Sequence, residues 1–448
     1  MLLILLLQAW LLGLSFASAE FLTPVPDHGN ATTPDLCQKE TVISCNLVQL
    51  DLARLHDSSV DFMGTTLDFK DMPGDNTYTF SSGFSEASFT VDPDLDVVWG
   101  HVQLEDGRDF VIEPSLHICD GCHVVIEEDE DAIPPDHAEF LPPSANVNEE
   151  MRSNVAFLLE TGKRDQTTIV TYSVMLYYTP EVRAAVESSG GDLKMFVDEM
   201  IDSTNQGYIN SKIPVRAVVH CMEETQEPEA YFVKNHAKKH MLDVFRDYNG
   251  GGNNLRRSAD IATLLVTDAS PASGWGYVFG DGDYDHKAVT MVQYDYALDY
   301  YIFGHEVGHT MGLSHDKYDT AQKGGSPLTP YSFGYHIPDT KVRTIMAYPH
   351  GAQKVVANYY SNPRVEVKYT DYTENKSWNV QTGKEGEADA VKRMTAVRFA
   401  IAANGDESEP CQPRGIVSHE LLLNVQQTQP CFLWQLFFGF DAKYTIFF

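Results

Sequence analysis

The chain has 448 residues, of which 43% are hydrophobic, so it is long enough for two or three domains with sizeable cores and is not disordered. Lysine and arginine number 32 against 64 aspartate and glutamate residues, which gives a formal net charge of −32. This balance excludes the basic surface that nucleic-acid binding requires, so we expect no nucleic-acid partner.

Residues 1–19 have the features of a secretory signal peptide. An apolar run over residues 2–14 is followed by Ala17-Ser18-Ala19, an A-x-A cleavage site. Because the run is short for a membrane span, the sequence favours a secreted, extracellular protein with no transmembrane segment over the alternative of an uncleaved anchor.

Sequons and cysteines fit the same secretory route. Asn30 and Asn375 begin Asn-x-Ser/Thr sequons that could be glycosylated in a eukaryotic secretory pathway. The odd number of cysteines predicts disulfide bonds with at least one thiol left over or paired between chains, and the connectivity stays open. The seven cysteines are Cys37, Cys45, Cys119, Cys122, Cys221, Cys411 and Cys431.

Residues 20–164 differ in composition from the rest of the chain. They hold 29 acidic and 7 basic residues, net −22, which leaves 35 acidic and 25 basic residues, net −10, for residues 165–448. Runs typical of short strands, separated by Gly, Asp and Pro turn signals, predict a β-rich N-terminal domain. These runs are Ala87–Val91, Val97–Leu104 and Phe110–Ile112.

The end of this domain carries signals of a linker and of a cleavage site. The acidic run Glu127–Asp131, followed by the pairs Pro134-Pro135 and Pro142-Pro143, predicts a proline-punctuated linker. The dibasic pair Lys163-Arg164 then ends a short helical stretch and favours proteolytic cleavage at this boundary, with an ordinary exposed loop as the alternative.

Beyond Arg164, strand and helix patterns alternate, which predicts an α/β domain over residues 165–405. The active-site helix is expected over Ala297–Met311, and the chain after Gly312 is expected to be loop-rich until a last helix. The other predicted elements are strands at Thr167–Tyr177, Ile213–Cys221, Ala262–Thr267 and Ala288–Val292, helices at Leu193–Ile209, His236–Tyr248 and Glu387–Ala402, and a loop at Gly250–Gly252.

The strongest chemical signal is the run His305-Glu306-x-x-His309-x-x-Gly312-x-x-His315. Residues four apart share one face of a helix, so His305 and His309 can bind a single zinc ion (Zn2+) with Glu306 beside it. Gly312 can take the left-handed conformation that ends a helix and returns His315 as a third ligand. Three protein ligands leave a fourth position for water, which is the pattern of a catalytic zinc site.

This long motif resembles that of the metzincin zinc endopeptidases, and Asp316 directly after the third histidine resembles the adamalysin or reprolysin branch. Arg343-Thr344-Ile345-Met346-Ala347-Tyr348 resembles the Met-turn, whose methionine lies beneath the three imidazoles, and Tyr360-Ser361-Asn362-Pro363 resembles the segment that follows it. The resemblance covers residues 165–404. Cys221 is the single cysteine in that span, so the disulfides typical of animal adamalysins are missing.

The resemblance implies a metzincin catalytic domain, a mixed twisted sheet with helices, after a β-rich prodomain, since Trp99–Val102 and Phe110–Pro114 resemble the adamalysin prodomain. It also implies a monomeric zymogen that cuts proteins or peptides. Metzincins pair an extended substrate with an edge strand, which we place at Ala288–Val292. The domains are then a signal peptide (1–19), a propeptide (20–164), a catalytic domain (165–405) and a tail of unknown role (406–448).

Glu306 is the expected general base, and His305, His309 and His315 are the expected ligands. By resemblance to the M-x-Y form of the Met-turn in astacins, Tyr348 either donates a hydrogen bond to the developing oxyanion or packs in the wall of the substrate pocket. The other histidines lack ligand spacing and are expected to be structural or exposed, namely His220, His236, His240, His286 and His350.

Two questions stay open at this level. Cys119 and Cys122 could block the zinc as thiolates, or they could form a disulfide with each other or with Cys37 and Cys45. The alternative functions are a catalytically inactive metzincin that acts as a binding or adhesion module, and a hydrolase of a non-peptide amide. Retention of all three histidines and of Glu306 favours the peptidase.

Overall fold

A nine-stranded antiparallel sheet forms the N-terminal part of the computed structural model. The structure describes residues 21–25, 37, 42–72, 76–92, 97–115, 118–119, 121–128, 137–139, 157, 160–233, 240–278, 288–322, 329–371 and 374–405. The strand order is β1-β2-β9-β8-β7-β6-β5-β4-β3, with an apolar core that includes Phe62, Phe80 and Phe89. The prediction of a β-rich N-terminal region is confirmed. The strands are β1 (Leu22–Pro24), β2 (Val42–Leu50), β3 (Ser59–Phe62), β4 (Thr65–Asp71), β5 (Thr77–Ser82), β6 (Ser85–Asp92), β7 (Val97–Gln103), β8 (Asp109–Pro114) and β9 (Cys122–Glu128).

A second, mixed sheet of six strands has the order β10-β14-β15-β13-β11-β12. The four strands β15, β13, β11 and β12 are parallel to one another, and β14 is antiparallel to β15. Parallel strands covered on both faces are apolar throughout, as the sequence Ile-Ala-Thr-Leu-Leu-Val of β13 shows. The strands are β10 (His137–Glu139), β11 (Val170–Tyr178), β12 (Val215–Glu224), β13 (Ile261–Val266), β14 (Gly274–Tyr277) and β15 (Val289–Gln293).

Two apolar clusters cover the faces of this sheet, and helices supply much of both. Side chains cap the first turns of the two helices that start at Pro180 and Leu193. Thr179 Oγ1 accepts a hydrogen bond from Val182 N at 3.3 Å, and Asp192 Oδ1 accepts one from Met195 N at 3.0 Å. The mixed α/β architecture is confirmed. The helices are α1 (Pro180–Ser188), α2 (Leu193–Ser211), α3 (Glu229–Val233), α4 (Met241–Arg246), α5 (Gly252–Arg256), α6 (Ile302–Thr310), α7 (Lys317–Gln322) and α8 (Ala390–Ile401).

The strand predicted to pair with substrate lies inside the sheet, so that prediction is wrong. β15, which corresponds to the predicted run Ala288–Val292, is hydrogen-bonded on one side to β13 and on the other to β14. β14 is the outermost strand contributed by the chain after Arg164, and β10 from the N-terminal part pairs with it in parallel. A single sequence does not reveal this order because β14 is short and carries two glycines.

Several element boundaries also differ from the sequence prediction. The site helix α6 starts at Ile302 instead of Ala297, because Tyr300 and Tyr301 have φ of +55° and +59° and interrupt the helix. His240 is the N-cap of the short helix α4 rather than part of a longer one. The predicted loop Gly250–Gly252 contains the end of a 3-10 helix and the start of α5.

The chain after α6 contains short strand pairs in addition to the predicted loops. They are β16 (Ser314–Asp316) with β17 (Phe333–Gly334), β18 (Val342–Thr344) with β19 (Val355–Ala357), and β20 (Glu366–Asp371) with β21 (Lys376–Gln381). The acidic linker begins later than predicted, because Glu127 and Glu128 still belong to β9.

Cysteine pairing excludes the thiolate alternative for the N-terminal cysteines. Cys119 is bonded to Cys122 and Cys37 to Cys45, so neither Cys119 nor Cys122 offers a free thiolate to a metal. Cys221 is also disulfide-bonded. In the described part of the chain, no helix is long and apolar enough to cross a membrane. The predicted signal peptide 1–19, Asn30, His236, His286 and the tail 406–448 lie outside the described residues.

Candidate metal centre and active site

The helix α6 and the turn after it bring three histidines together. His305 and His309 lie one turn apart on α6, and Gly312, at φ +82°, reverses the chain directly after it. The reversal is closed by hydrogen bonds from Gly312 N to His309 O at 2.8 Å and from Leu313 N to Gly308 O at 3.0 Å. β16 then starts in a position that returns His315 to the same point.

The Nε2 atoms of the three imidazoles converge. His309 Nε2 lies 3.0 Å from His305 Nε2 and 3.1 Å from His315 Nε2, and all three ligand atoms lie within 4.8 Å of one another. The three side chains are buried, with exposed fractions of 2%, 0% and 2% in chain order. Among the His, Cys, Asp and Glu side chains of the described residues, these three histidines form a group that could hold a metal ion.

The other ring nitrogen of each histidine has an acceptor. His305 Nδ1 donates to Ile345 O at 2.8 Å and His309 Nδ1 to Leu313 O at 2.8 Å, since a carbonyl oxygen can only accept. His315 Nδ1 faces Asp319 Oδ2 at 2.9 Å. These bonds place the hydrogens on Nδ1 and turn three Nε2 lone pairs toward one point, where a cation relieves their repulsion. The donor set therefore fits zinc.

Asp319 is a functional residue that the sequence interpretation missed. It lies on α7, four residues after His315, and the two side chains meet because α7 starts directly after β16. A carboxylate that orients a ligating imidazole fixes its tautomer and increases its basicity. The spacing His-x-x-x-Asp was the available signal.

The side chain of Glu306 extends from α6 toward the strand β14. A Cβ atom added at Gly274 would lie 2.5 Å from Glu306 Oε1, and one added at Gly276 would lie 2.7 Å from Glu306 Oε2. The two glycines therefore make room for a fully buried carboxylate against one face of β14. The sequence did not identify this role for Gly274 and Gly276, because the contact joins segments about 30 residues apart.

Met346 packs beneath the site helix. A Cβ at Gly308 would lie 2.6 Å from Met346 Sδ, so the sulfur occupies the space that glycine leaves on the helix. The preceding residue, Ile345, supplies the carbonyl that accepts from His305. The segment therefore supports the histidines by both packing and hydrogen bonding.

Asp316 connects the third histidine to the segment of Met346. Its Oδ1 accepts from Tyr318 N and Asp319 N, both at 2.9 Å, and its Oδ2 accepts from Tyr348 N at 3.2 Å. Arg343 reinforces the same segment, donating to Ala347 O at 2.7 Å. These bonds explain why a carboxylate directly after His315 serves this fold.

The ring of Tyr348 contacts the histidine centre. Its centroid lies 4.0 Å from that of His315 and 6.3 Å from that of His305, and the side chain is half-buried. Tyr348 therefore lies at the rim of the three imidazoles. Among the other histidines, His240 caps α4 and His350 is exposed beside Tyr318, so neither joins the site.

Three buried imidazoles with oriented lone pairs, next to a buried carboxylate, define a metal-dependent hydrolase. Comparison with known proteins agrees: residues 169–360 match the Reprolysin_5 pattern of metallo-peptidase family M12. The match and the relatives support a metzincin-type zinc metallopeptidase of the reprolysin-like branch.

Bacterial relatives are named peptidyl-Asp metalloendopeptidase. The protein of Stenotrophomonas maltophilia is 27% identical over 308 residues, covering 67% of this chain and 66% of its own length. The Xanthomonas campestris protein is 28% identical over 315 residues, covering 69% and 67%. The Pseudomonas aeruginosa protein is 28% identical over 270 residues, covering 54% and 42%. The matched segment thus spans about two thirds of the first two relatives.

Proposed function

We propose that the chain is a secreted endopeptidase, made as a zymogen, in which His305, His309 and His315 hold zinc and Glu306 is the general base. The observation that carries this proposal is the convergence of three oriented Nε2 atoms beside a buried carboxylate that packs against β14. When bound there, zinc supplies a Lewis acid that acidifies water and polarises the scissile carbonyl.

The chain's own residues supply the proton transfers and the orientation. Glu306 takes a proton from the attacking water and passes it to the leaving amine, since it follows a ligand directly on the same helix. Burial of Glu306 and of the three imidazoles keeps bulk water away from the reacting groups. Asp319 and the carbonyls of Ile345 and Leu313 hold the imidazoles in position.

The substrate backbone pairs with β14. This strand is next to Glu306, and β10 pairs with the side of β14 that faces away from β15 in the uncut chain. An extended peptide on that side gains main-chain hydrogen bonds and passes its scissile bond over the histidines. We propose an aspartate next to the bond that is cut, on the strength of the name that the relatives carry.

The position of β10 supports latency of the uncut chain. Its backbone pairs with β14 from His137↔Trp275 to Glu139↔Tyr277, so a segment that precedes Arg164 occupies the edge proposed for substrate. Arg164 ends a short helix, and its side chain and that of Lys163 are exposed, as a processing protease requires. We therefore retain a signal peptide (1–19), a propeptide (20–164), a catalytic domain (165–405) and a tail (406–448).

The test is hydrolysis of casein or gelatin by the processed protein, with and without a zinc chelator, together with peptides that differ only by Asp or Asn at one position. Chelator-sensitive cleavage, faster next to Asp, is the expected result. Absence of hydrolysis by zinc-loaded protein would instead favour the binding or adhesion module.

A further inference from the structure

One face of α2 is polar yet covered by the N-terminal sheet. Glu199, Asp202, Gln206 and Asn210 recur at the spacing of one helix face and are all buried, with Glu199 at 0% exposure. The opposite face packs into the apolar cluster of the six-stranded sheet through residues such as Val197 and Tyr208. The polar face would be ordinary solvent-exposed surface if the N-terminal sheet were absent.

The contacts across this face are hydrogen bonds with carboxylates. Thr77 Oγ1 of β5 donates to Asp202 Oδ2 at 2.6 Å, and Thr90 Oγ1 of β6 donates to Glu199 Oε2. On the other side, Asn210 Nδ2 donates to Glu86 Oε2 of β6 at 2.7 Å. The interface therefore buries three carboxyl groups, two from the helix and one from the sheet.

Apolar contact at the margin of this face comes mainly from β7. Trp99 packs edge-on against Phe196 with 5.5 Å between ring centroids, and Val97 joins the same cluster. The charged and polar groups thus lie across most of the helix face, while the tryptophan anchors one end. An interface of this composition depends on the ionisation of its carboxyl groups.

We propose that the face of α2 that carries Glu199 and Asp202 is a proton-dependent docking surface for the N-terminal domain. After cleavage following Arg164, the two parts stay together in acid and separate as the solution becomes neutral to alkaline. This proposal rests on the proposed cleavage and adds the step that releases the propeptide.

The groups around Glu199 determine the direction of the effect. Burial raises the pKa of Glu199 to about 7, the hydrogen bonds from Thr90 and Ser88 oppose this rise, and the neighbouring charge of Asp202 adds to it. His101 faces Glu199 from β7 and is itself paired with Asp109 at 2.7 Å. Other groups near His101 on this side are Glu86 of β6 and the ring of Tyr301.

The sign follows from linkage. In the separated catalytic domain Glu199 faces water and ionises at its ordinary pKa, whereas in the docked state it keeps its proton up to about pH 7. Docking is therefore strongest below the ordinary pKa, weakens about tenfold per pH unit up to the docked value, and is constant above it. The total loss of affinity is roughly 300-fold, of which most falls between about pH 5 and about pH 8.

The experiment uses the full chain carrying Glu306→Gln, so that no self-digestion occurs, with a site-specific protease sequence placed after Arg164. After nicking, the dissociation constant of the two parts is measured by analytical ultracentrifugation at about pH 5 and about pH 8. The expected increase is roughly 100-fold. A change smaller than about threefold would overturn the proposal.

Two variants test whether Glu199 is responsible. Glu199→Gln keeps the shape of the side chain and cannot ionise, so its dissociation constant should be low and independent of pH. Asp202→Asn removes the neighbouring charge, so its transition should move to lower pH. Full pH dependence in Glu199→Gln would refute the role of Glu199.

The matched control is Asp198→Asn, on the exposed part of the same helix, where Asp198 pairs with Lys194. It should behave like the parent chain, and loss of its pH dependence would contradict a specific role for Glu199. Far-ultraviolet circular dichroism at both pH values verifies that each variant is folded. Because the readout is association of a hydrolytically silent chain, failure of the proposed peptidase activity would not change it.

Discussion

His315 and Asp319 form a hydrogen-bonded pair, Nδ1 to Oδ2 at 2.9 Å, at the junction of β16 and α7. The carboxylate is the one charged partner among the three acceptors that orient the imidazoles, since the other two are backbone carbonyls. We therefore expect Asp319→Ala to weaken zinc binding by roughly 10- to 100-fold, the usual cost of losing such a partner.

Competition with a fluorescent zinc chelator measures this affinity. Asp339→Asn is a matched control, because Asp339 is an exposed acid with φ +61°, a conformation that asparagine tolerates. Unchanged zinc affinity in Asp319→Ala would show that the imidazole of His315 needs no carboxylate.

The second prediction concerns the general base. Glu306→Gln has the same size, so it fits between α6 and the glycines of β14, but it cannot accept the proton of water. We expect kcat to fall by at least about 100-fold while zinc content, measured by atomic emission, stays at one ion per chain. Turnover close to that of the parent enzyme would refute the assignment.

Gly274 offers a test of the geometry around that base. In Gly274→Ala the new Cβ would lie 2.5 Å from Glu306 Oε1, so the carboxylate or the strand must shift. A shift of this size at a catalytic group should lower kcat by roughly 100-fold. Because the histidines are not touched, zinc affinity should be unchanged, and equal loss of zinc would indicate general disruption instead.

Tyr348→Phe distinguishes two roles for the tyrosine. A hydroxyl that donates to the developing oxyanion should contribute about tenfold or more to kcat, whereas a ring that only packs on His315 contributes through shape, which phenylalanine keeps. Steady-state kinetics with a peptide substrate decides between them. If kcat stays within about twofold, Tyr348 is part of the pocket wall.

Latency can be tested at the dibasic pair. We expect a chain with Lys163→Ala and Arg164→Ala to remain uncut and silent, because β10 stays paired with β14. Cys119→Ser should not release activity, since Cys119 is already bonded to Cys122 and offers no thiolate. Casein hydrolysis by the uncut chain at the rate of the processed form would show that the N-terminal domain does not inhibit.

The parts of the site that could be predicted are those set by local spacing. His305, Glu306, His309, Gly312 and His315 belong to one helix and one turn, where 3.6 residues per turn and a single left-handed glycine determine the geometry. The predicted strand runs correspond to three of the nine strands of the first sheet and four of the six strands of the second, because alternation and buried apolar runs are local patterns.

The remaining features depend on contacts between distant segments. The edge strand was misplaced because β14 is identified by its neighbours β15 and β10, not by its own four residues. Thr90 and Glu199 are 109 residues apart, and each in isolation resembles an ordinary exposed polar residue. The start of α6 was placed too early because Tyr300 and Tyr301 have positive φ values, which bulky residues rarely adopt and which their sequence therefore does not predict.

The parallel pairing of β10 with β14 also bears on the solubility of the mature enzyme. Removal of residues before 165 leaves β14 as an open strand edge, and open edges allow copies of a protein to join into aggregates. Only four residues long and half glycine, β14 is a poor template for a second copy. The two glycines that let the carboxylate of Glu306 approach the strand thus also make its edge a poor site for association between copies of the chain.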